Sequence, residues 1–257
     1  MSTALKVNNL CKTYIVNKRQ NNVLRNVNLE IQVGEFVSIM GPSGSGKSTL
    51  LYTVSGMDRL TAGNVLFYGD DISQLKMNQM SDVRLNKMGF IFQQMHMLRN
   101  LSIYDNIIVS AYNSENGKTR SQRKQINEYA KELMRKLEII DIAENDITEV
   151  SGGQLQRACI CRALINKPKM IFADEPTGAL NSKTSKEVMN ELNKINKEGT
   201  TILIVTHDIK VAAKTDKVLY IEDGNIRGEL HLGKYSNETT IRERERNLST
   251  WLMEMGW

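Results

Sequence analysis

The spacing of apolar residues changes along the chain and predicts a succession of different elements. Val23–Ile31 alternates apolar and polar residues, which is the period of a half-buried strand. Thr201–Val205 is a continuous apolar run, typical of a strand covered on both faces. Further strands are predicted at Phe36–Met40, Asn64–Tyr68, Met88–Phe92 and Met170–Ala173, and helices at 47–56, 151–165 and 184–196. Since strands alternate with helices, the fold class is α/β with a mostly parallel sheet.

Residues 94–150 differ from the segments on either side because they contain few β-branched runs. Their apolar side chains recur at helical spacing, as in Ile126, Tyr129, Ala130, Leu133 and Leu137. We therefore predict that a helical subdomain, covering about residues 94–165, is inserted into a single domain of residues 1–232.

Residues 233–257 are predicted to form a C-terminal extension with one amphipathic helix between residues 238 and 257. One face of this helix carries Ile241, Glu245, Leu248, Leu252 and Met255, with Trp251 beside it. Two interpretations stay open at this point. The helix docks on its own domain, or it contacts a second copy of the chain or a regulatory partner. Binding to a membrane surface is disfavoured, since residues 228–257 carry four basic and five acidic side chains.

The composition permits a large globular domain and argues against several other classes of protein. The chain has 257 residues, of which 40% are hydrophobic. It contains no run of 18 apolar residues and begins with no export signal, so we expect no membrane span of its own. Cys11, Cys159 and Cys161 are too few for a disulfide framework, and the last two are too close together for a zinc site. We expect reduced thiols, buried or half-buried, in a cytosolic protein.

The net charge of +5 is too evenly spread to indicate a nucleic-acid partner. Residues 1–93 carry ten basic and six acidic side chains, and residues 151–227 carry twelve and nine. No long basic stripe is present, whereas nucleic-acid-binding proteins concentrate Lys and Arg on one face. We expect no nucleic-acid partner.

The most informative motif is the sequence GPSGSGKST, which directly follows the predicted strand Phe36–Met40. It fits the phosphate-binding loop pattern, in which glycines let backbone N–H groups surround the phosphates of a nucleotide. A lysine then reaches the outer phosphates and a hydroxyl binds Mg2+, and the helix that follows adds its N-terminal partial charge. The predicted nucleotide-binding residues are Gly41, Ser43, Gly44, Ser45, Gly46, Lys47, Ser48 and Thr49, with Ser48 as a metal ligand.

Two adjacent carboxylates follow the apolar run Met170–Ala173. Ligands bind at the carboxyl ends of the strands in open α/β sheets, where Asp174 and Glu175 are expected to lie. We predict that Asp174 holds Mg2+ and that Glu175 is the general base that polarises the attacking water.

Ser151-Gly-Gly-Gln154 opens the predicted helix 151–165 and forms a second anion-binding helix start, with Ser151 as its N-cap. One nucleotide has no need of two such sites for its γ-phosphate. We therefore predict that Ser151, Gly152, Gly153 and Gln154 serve a nucleotide bound to another copy, in a head-to-tail dimer with two-fold symmetry.

With these motifs together, residues 4–232 resemble the ATP-binding-cassette (ABC) ATPases, with Val150 at the usual leucine of the signature. The resemblance implies a P-loop NTPase fold with a mostly parallel core sheet, an N-terminal antiparallel β subdomain and an inserted α-helical subdomain. It implies ATP and Mg2+ as cofactors. It also implies that Tyr14 stacks on adenine, that Gln93 contacts Mg2+ and water, and that His207 contacts the γ-phosphate. Asn181 replaces the usual aspartate of a loop that crosses the dimer, and we expect activity to survive with altered coupling between the two sites.

Within the family, the chain resembles the ATPases of macrolide-export, lipoprotein-release and bacitracin-type or antimicrobial-peptide exporters. The resemblance rests on Gly34–Leu51, Gly89–Leu98, Leu101–Ile107 and Ile171–Ser185. It implies a homodimer that drives a separate transmembrane permease from the cytoplasmic face of the membrane. The expected role is export of, or resistance to, an antimicrobial peptide, lipopeptide or lipoprotein-like cargo.

Two other classes of ABC ATPase carry sequence features that can be compared with this chain. Translation-factor cassettes carry two copies of each motif, and DNA-repair cassettes carry a long coiled coil in place of residues 94–150. The chain has neither feature. A non-transporting complex that signals through a membrane partner, with a sensor kinase beside it, stays open as an alternative.

Overall fold

A computed structural model describes residues 2–236 and 238–257. Its strands are β1 (Thr3–Val16), β2 (Arg19–Gln32), β3 (Phe36–Met40), β4 (Ala62–Phe67), β5 (Asp70–Asp71), β6 (Met88–Ile91), β7 (Met170–Asp174), β8 (Thr201–Val205), β9 (Lys217–Glu222) and β10 (Asn225–His231). Its α-helices are α1 (Lys47–Val54), α2 (Met77–Lys87), α3 (Ile103–Tyr112), α4 (Arg120–Lys136), α5 (Gly152–Leu164), α6 (Ser182–Lys197), α7 (Ile209–Ala212) and α8 (Ile241–Glu254). Single 3-10 turns lie at Glu115–Gly117, Ile140–Ile142 and Glu238–Thr240.

The predicted elements are present, and their ends differ from the predictions by a few residues. The strand predicted at Val23 begins at Arg19 instead. Residues 19–22 are exposed and polar, so they carry no apolar signal, but their backbone pairs with β1, as in Ile15 with Gln20. The hairpin of β1 and β2 therefore continues beyond the part of it that is buried.

The chain divides into two compact units, which we call the first and the second unit. The first unit comprises residues up to Met80 together with Asn193–Trp257, and the second comprises Ser81–Leu192. In the first unit, an antiparallel sheet has the order β2-β1-β4-β5, in which Val7 pairs with Leu29 on one side and with Val65 on the other. The N-terminal antiparallel β subdomain is thus confirmed.

The first unit also contains the strands β10-β9-β3-β8 in that order, with β3 parallel to both of its neighbours. Every residue of β3 and β8 is buried. Strands covered on both faces have no polar face to expose, which explains the continuous apolar runs in the sequence. The parallel pairing agrees with the predicted α/β class.

Helix α8 packs on the first unit through the apolar face that the sequence predicts. Leu248 and Leu252 are buried in a cluster with Val218 and Tyr220, and Trp251 lies against the cluster. A Cβ on Gly228 of β10 would lie 3.0 Å from the Trp251 ring, so a larger residue there would require the ring to shift by a few tenths of an ångström. Of the two interpretations, docking on its own unit is the one observed. The boundary at residue 233 stays a prediction.

Arg244 fastens the same helix by its polar atoms. Its side chain is buried and donates to the backbone carbonyls of Ala213 at 2.7 Å, Thr215 at 2.6 Å and Leu232 at 2.7 Å. A buried guanidinium is stable only when its donors are satisfied. Arg244 therefore joins α8 to the end of α7 and to the segment after β10.

The second unit contains the parallel pair β6 and β7 and the helices α3, α4 and α5, which contact one another. Helix α4 buries Ile126, Ala130, Leu133 and Met134 on one face. This arrangement confirms the helical character predicted for residues 94–150. In the part of the chain that the structure describes, no helix is both long and apolar enough to cross a bilayer.

Candidate active site

The loop between β3 and α1 requires glycine at both of its ends. A Cβ on Gly41 would lie 2.0 Å from the carbonyl oxygen of Ile221. Gly46 has φ of 102° and caps α1 without a side chain. Gly44, in the middle of the loop, also has a positive φ of 78°, and a Cβ there would meet no atom of residues 2–236 or 238–257 within 4 Å. The loop is therefore closely packed at its ends and open at its centre.

The polar side chains of this loop and of the helix start after it lie close to the loop backbone. Lys47 is the first residue of α1, and its Nζ donates to the carbonyls of Gly41 and Pro42, both at 2.8 Å. The Ser45 hydroxyl is buried without a hydrogen-bond partner among the residues that the structure describes. Ser48 and Thr49 follow Lys47 in the first turn of α1, whose N–H groups have no acceptor within the helix.

His207 leaves the sheet at the same edge as this loop. Strands β3 and β8 are parallel, with Ile39 opposite Val205, and the Thr206 N–H donates to the Ile39 carbonyl at 3.1 Å. The chain then reaches Gly41 on one strand and His207 on the other. His207 is exposed and lines a cleft of about 530 Å³ with Asp208, Ile209, Lys210, Glu245 and Ser249.

Tyr14 lies near the end of β1 and is 37% exposed. Its hydroxyl donates to Asp58 Oδ2 at 2.5 Å, and the Lys12 ammonium lies 4.5 Å from the centre of its ring. Burial and the hydrogen bond with Asp58 raise the pKa of Tyr14 to about 12. The phenol is therefore neutral throughout the physiological pH range.

Asp174 is the last residue of β7, and Glu175 and Gln93 follow the two parallel strands of the second unit. Ile91 is opposite Ala173, so Gln93 and Glu175 each lie two residues beyond the same pair. Asp174 is 8% exposed, and Glu175 has φ of 46°, which turns the chain sharply away from the strand. A Cβ on Gly178 would lie 3.2 Å from Gln93 Nε2 and 3.5 Å from Glu175 Cβ, so these two side chains are brought together.

The start of α5 is built as the sequence predicts. Ser151 Oγ accepts from the Gln154 N–H at 3.3 Å, and Gln154 Oε1 accepts from the Ser151 N–H at 2.9 Å, which is a capping box. Ser151 and Gly152 are exposed, whereas Gly153 is partly covered. The N–H groups of Gly152 and Gly153 have no acceptor inside the helix. Their orientation suits an anion.

The loop that carries Asn181 lies beside this helix start. A Cβ on Gly153 would lie 2.5 Å from Thr184 Cγ2, and Asn181 Oδ1 accepts from the Thr184 N–H at 3.0 Å. Asn181 is therefore the N-terminal cap of α6. It supports the helix whose first turn packs against Gly153.

The segment after Gln93 is held by two side chains of the second unit. Arg162 of α5 donates to the carbonyls of Met95 at 2.5 Å and His96 at 2.8 Å. The buried Asn106 of α3 accepts from the Leu98 N–H at 2.7 Å and donates to the Leu98 carbonyl at 3.0 Å. The helix that begins at the capping box is thus fastened to the segment that follows Gln93.

Comparison with known proteins identifies the arrangement. Residues 24–178 match the sequence profile of the ABC transporter family. The chain is 38% identical to the bacitracin export ATP-binding protein BceA of Halalkalibacterium halodurans, over 93% of both proteins. It is 41% identical to the lipoprotein-releasing system ATP-binding protein LolD of Wigglesworthia glossinidia brevipalpis, over 86% of this chain and 95% of that protein.

A solved dimeric structure of MJ0796, a bacterial ABC transporter cassette from Methanocaldococcus jannaschii, is similar in fold. Its TM-score is 0.82 at 39% identity, over 89% of this chain and 98% of that one. A second structure of MJ0796 is a dimeric post-hydrolysis state bound to ADP and phosphate, with a TM-score of 0.80 at 37% identity over the same shares of the two chains.

The chain is an ATPase of the ABC transporter family. Its fold class and the exporter group named from the sequence are confirmed.

The phosphate loop of this ABC ATPase fits the triphosphate of ATP. The open centre at Gly44 supplies space, the Lys47 ammonium supplies a positive charge, and the buried Ser45 hydroxyl, which has no partner in the described part of the chain, supplies a donor. The side chains predicted from the sequence to hold Mg2+ offer a hydroxyl, an amide oxygen and a carboxylate, which are the hard oxygen ligands that this ion prefers.

The sequence-predicted residues fall into both units. The first unit holds Tyr14, the loop Gly41–Thr49 and His207, and the second holds Gln93, Ser151–Gln154, Asp174, Glu175 and Asn181. Within the second unit, Gln93 lies beside Glu175, and Gly153 lies beside the helix that Asn181 caps.

Four polar residues near these motifs were missed by the sequence analysis, namely Lys12, Asp58, Asn106 and Arg162. Only Lys12 had a usable signal, because its spacing of two from Tyr14 places both on one face of a strand. Asp58 and Arg162 act on partners distant in sequence, and Asn106 on the backbone of Leu98, eight residues away.

Proposed function

We propose that two copies of this ABC ATPase close around two Mg-ATP and that the closure drives a membrane permease. The observation that carries the proposal is that the chain has two separate helix starts suited to phosphate. One begins α1 after the glycine loop, and the other is the capped, exposed start of α5 at Ser151. In a two-fold dimer, the second start of each copy faces the nucleotide of the other.

The residues then divide the chemistry of hydrolysis among them. Lys47 and the loop amides bind the phosphates, and Ser48, Gln93 and Asp174 hold Mg2+. Glu175 accepts the proton of the attacking water, and His207 donates to the γ-phosphate. Mg2+, when bound, neutralises phosphate charge and orients its oxygens. The segment after Gln93 is fastened to α5 by Arg162, so we expect a permease that moves the helices of the second unit to move Gln93 as well.

The names of two relatives support the proposed partners of this chain. BceA and LolD are ATP-binding proteins of a bacitracin exporter and a lipoprotein-releasing system. We infer a homodimer bound to a separate permease at the cytoplasmic face of a membrane, with an antimicrobial peptide, a lipopeptide or a lipoprotein as cargo. A non-transporting complex with a sensor kinase is the second candidate, and its distinguishing sign would be ATPase activity without cargo movement.

The dimer is tested with Glu175→Gln, which should retain ATP and hydrolyse it at least about a hundredfold more slowly. We expect sedimentation velocity to show a monomer without nucleotide and a dimer with Mg-ATP. Adding Gly152→Glu should abolish the dimer, because the new carboxylate repels the opposite γ-phosphate. Ser121→Glu, a change in the first turn of α4 in the same unit, is the matched control and should leave the dimer intact.

The permease is tested by purifying tagged Glu175→Gln from membranes with Mg-ATP. A co-purifying integral membrane protein supports the proposal. Recovery of ribosomes or DNA with no membrane protein contradicts the transport role while leaving the ATPase chemistry untouched.

A further inference from the structure

Lys12 is a buried lysine of β1 whose ammonium contacts two hydrogen-bond acceptors and an aromatic ring. It is 7% exposed, and its Nζ donates to Asp58 Oδ1 at 2.7 Å and to the Arg59 carbonyl at 2.6 Å. The same ammonium lies 4.5 Å from the centre of the Tyr14 ring. Burial of a lysine is costly, so it persists where its partners compensate for lost water. The hydrolysis chemistry described above makes no use of it.

The contact with Tyr14 follows from the period of the strand. Side chains two residues apart point to the same face, so Lys12 lies next to the ring. An ammonium within about 6 Å of a ring centroid is attracted by the negative π face. One face of Tyr14 is thus covered by a charge, and a planar ligand has access only to the other.

Asp58 fixes the ring at its far end. Its two carboxylate oxygens accept from Lys12 and from the Tyr14 hydroxyl. Burial raises the pKa of Asp58, but the hydrogen bonds from Lys12 and Tyr14 outweigh that effect, so its pKa lies below the ordinary value. The carboxylate is charged at neutral pH and holds both partners.

Asp58 also connects this pair to the helix that begins at the phosphate loop. Asp58 lies just beyond Val54, where that helix ends. Its N–H donates to the carbonyl of Tyr52, in the last turn of α1, at 3.0 Å. The Tyr14 hydroxyl further interacts with the Thr49 side chain in the first turn. The ring is therefore tied to both ends of a short, rigid element.

We propose that Lys12 and Asp58 are positioning residues of the base-binding site, which hold Tyr14 at a fixed distance from the phosphate loop and restrict a purine base to its uncovered face. The inference rests on the proposed function and on the stacking of adenine on Tyr14 that the resemblance to ABC ATPases implies. A ring that is already fixed loses less rotamer freedom when the base stacks, so the affinity gained from stacking is larger. A ligand with phosphates and no base gains nothing from this arrangement.

The test compares ATP with inorganic triphosphate, which lacks a base, by calorimetric titration of the full chain in Mg2+. We expect Lys12→Met and Asp58→Asn to weaken ATP binding about fivefold, on the scale of one partly desolvated cation–π contact, and to leave triphosphate binding unchanged. Tyr14→Ala should weaken ATP at least as much. Lys6→Met, which removes an exposed lysine of the same strand, is the matched control and should change neither ligand.

Tyr14→Phe and the double variant Lys12→Met with Asp58→Asn keep the proposal testable if a single variant fails to fold. The first keeps the ring and loses the bond to Asp58, and the second leaves no buried charge unpaired. Both should show the ATP-specific loss. An ultraviolet titration should find that Asp58→Asn lowers the pKa of Tyr14 from about 12, with Tyr14→Phe identifying its signal.

The outcomes separate the two proposals. If Tyr14→Ala binds ATP like the parent chain, the stacking role of Tyr14 is wrong. If Tyr14→Ala weakens ATP while Lys12→Met and Asp58→Asn do not, stacking holds and the positioning role is overturned. Equal losses for ATP and triphosphate in Lys12→Met and Asp58→Asn also overturn it, because they indicate general damage to the fold.

Discussion

The side-chain oxygen of Asn181 accepts a hydrogen bond from the backbone N–H of Thr184 at 3.0 Å and so caps α6. This position is an aspartate in the resembled family pattern. Asparagine and aspartate are equivalent as N-caps, because each offers an oxygen at the same distance from the backbone. The replacement thus preserves the local structure and changes only the charge that the loop presents.

Asn181→Ala should lower the free energy of unfolding by about 1 kcal/mol through loss of the cap. Asn181→Asp should leave stability within a few tenths of a kcal/mol of the parent, or raise it, since a negative charge suits a helix N-terminus. Urea unfolding measures both. We further expect Asn181→Asp to change the single-turnover rate of ATP hydrolysis, and an unchanged rate would refute the expected effect on coupling between the sites.

Arg244 should be a major contributor to the docking of α8. Arg244→Ala removes charged hydrogen bonds to buried carbonyls, and we expect a loss of about 3 kcal/mol in the free energy of unfolding. Arg246→Ala, at an exposed position of the same helix, is the control and should have little effect. Equal melting temperatures for the two variants would show that the Arg244 contacts contribute nothing.

Removal of residues 238–257 should destabilise the chain while sparing basal ATP hydrolysis. The truncation uncovers Val218 and Tyr220, whose contacts with Leu248 and Leu252 exclude water. Differential scanning calorimetry and steady-state ATPase assays on the truncated chain test this. Normal melting together with normal complex formation would contradict the prediction.

Arg162→Ala should lower kcat for ATP and leave the Kd for ATP close to that of the parent. The substitution releases the carbonyls of Met95 and His96, so the segment after Gln93 loses its attachment to α5. The phosphate loop lies in the other unit and keeps its own contacts. Stopped-flow binding and steady-state hydrolysis separate the two effects. A raised Kd with unchanged kcat would be the opposite of the expected result.

The three thiols should react at different rates in the folded chain. Burial raises the pKa of Cys159 to about 11 and raises that of Cys161 further. Because the reactive species is the thiolate, both should be inert at neutral pH, and Cys159 should react only as the pH approaches its pKa. Cys11 is half-buried and should react first. A colorimetric thiol assay should detect one thiol natively and three in denaturant. Rapid reaction of all three natively would show that the burial is not maintained.

Much of the fold, and the places of the site motifs along the chain, could be predicted from the sequence, because these features depend on residues that are close together in the chain. Period-two and continuous apolar runs predicted β2, β3 and β8, and the GPSGSGKST motif placed the phosphate loop between a strand and a helix. Gly46 is needed because the backbone is left-handed at the start of α1, with φ of 102°. These features involve residues close together in the chain.

Only the tertiary structure decided which polar side chains act together. Lys12 and Asp58 are 46 residues apart, and Arg162 reaches carbonyls more than 60 residues away. Arg244 belongs to a run of alternating charges, yet it is the member that becomes buried. A charged side chain looks alike in the sequence whether it meets water or a buried carbonyl. The difference arises from desolvation and pairing, which exist only after distant segments have packed.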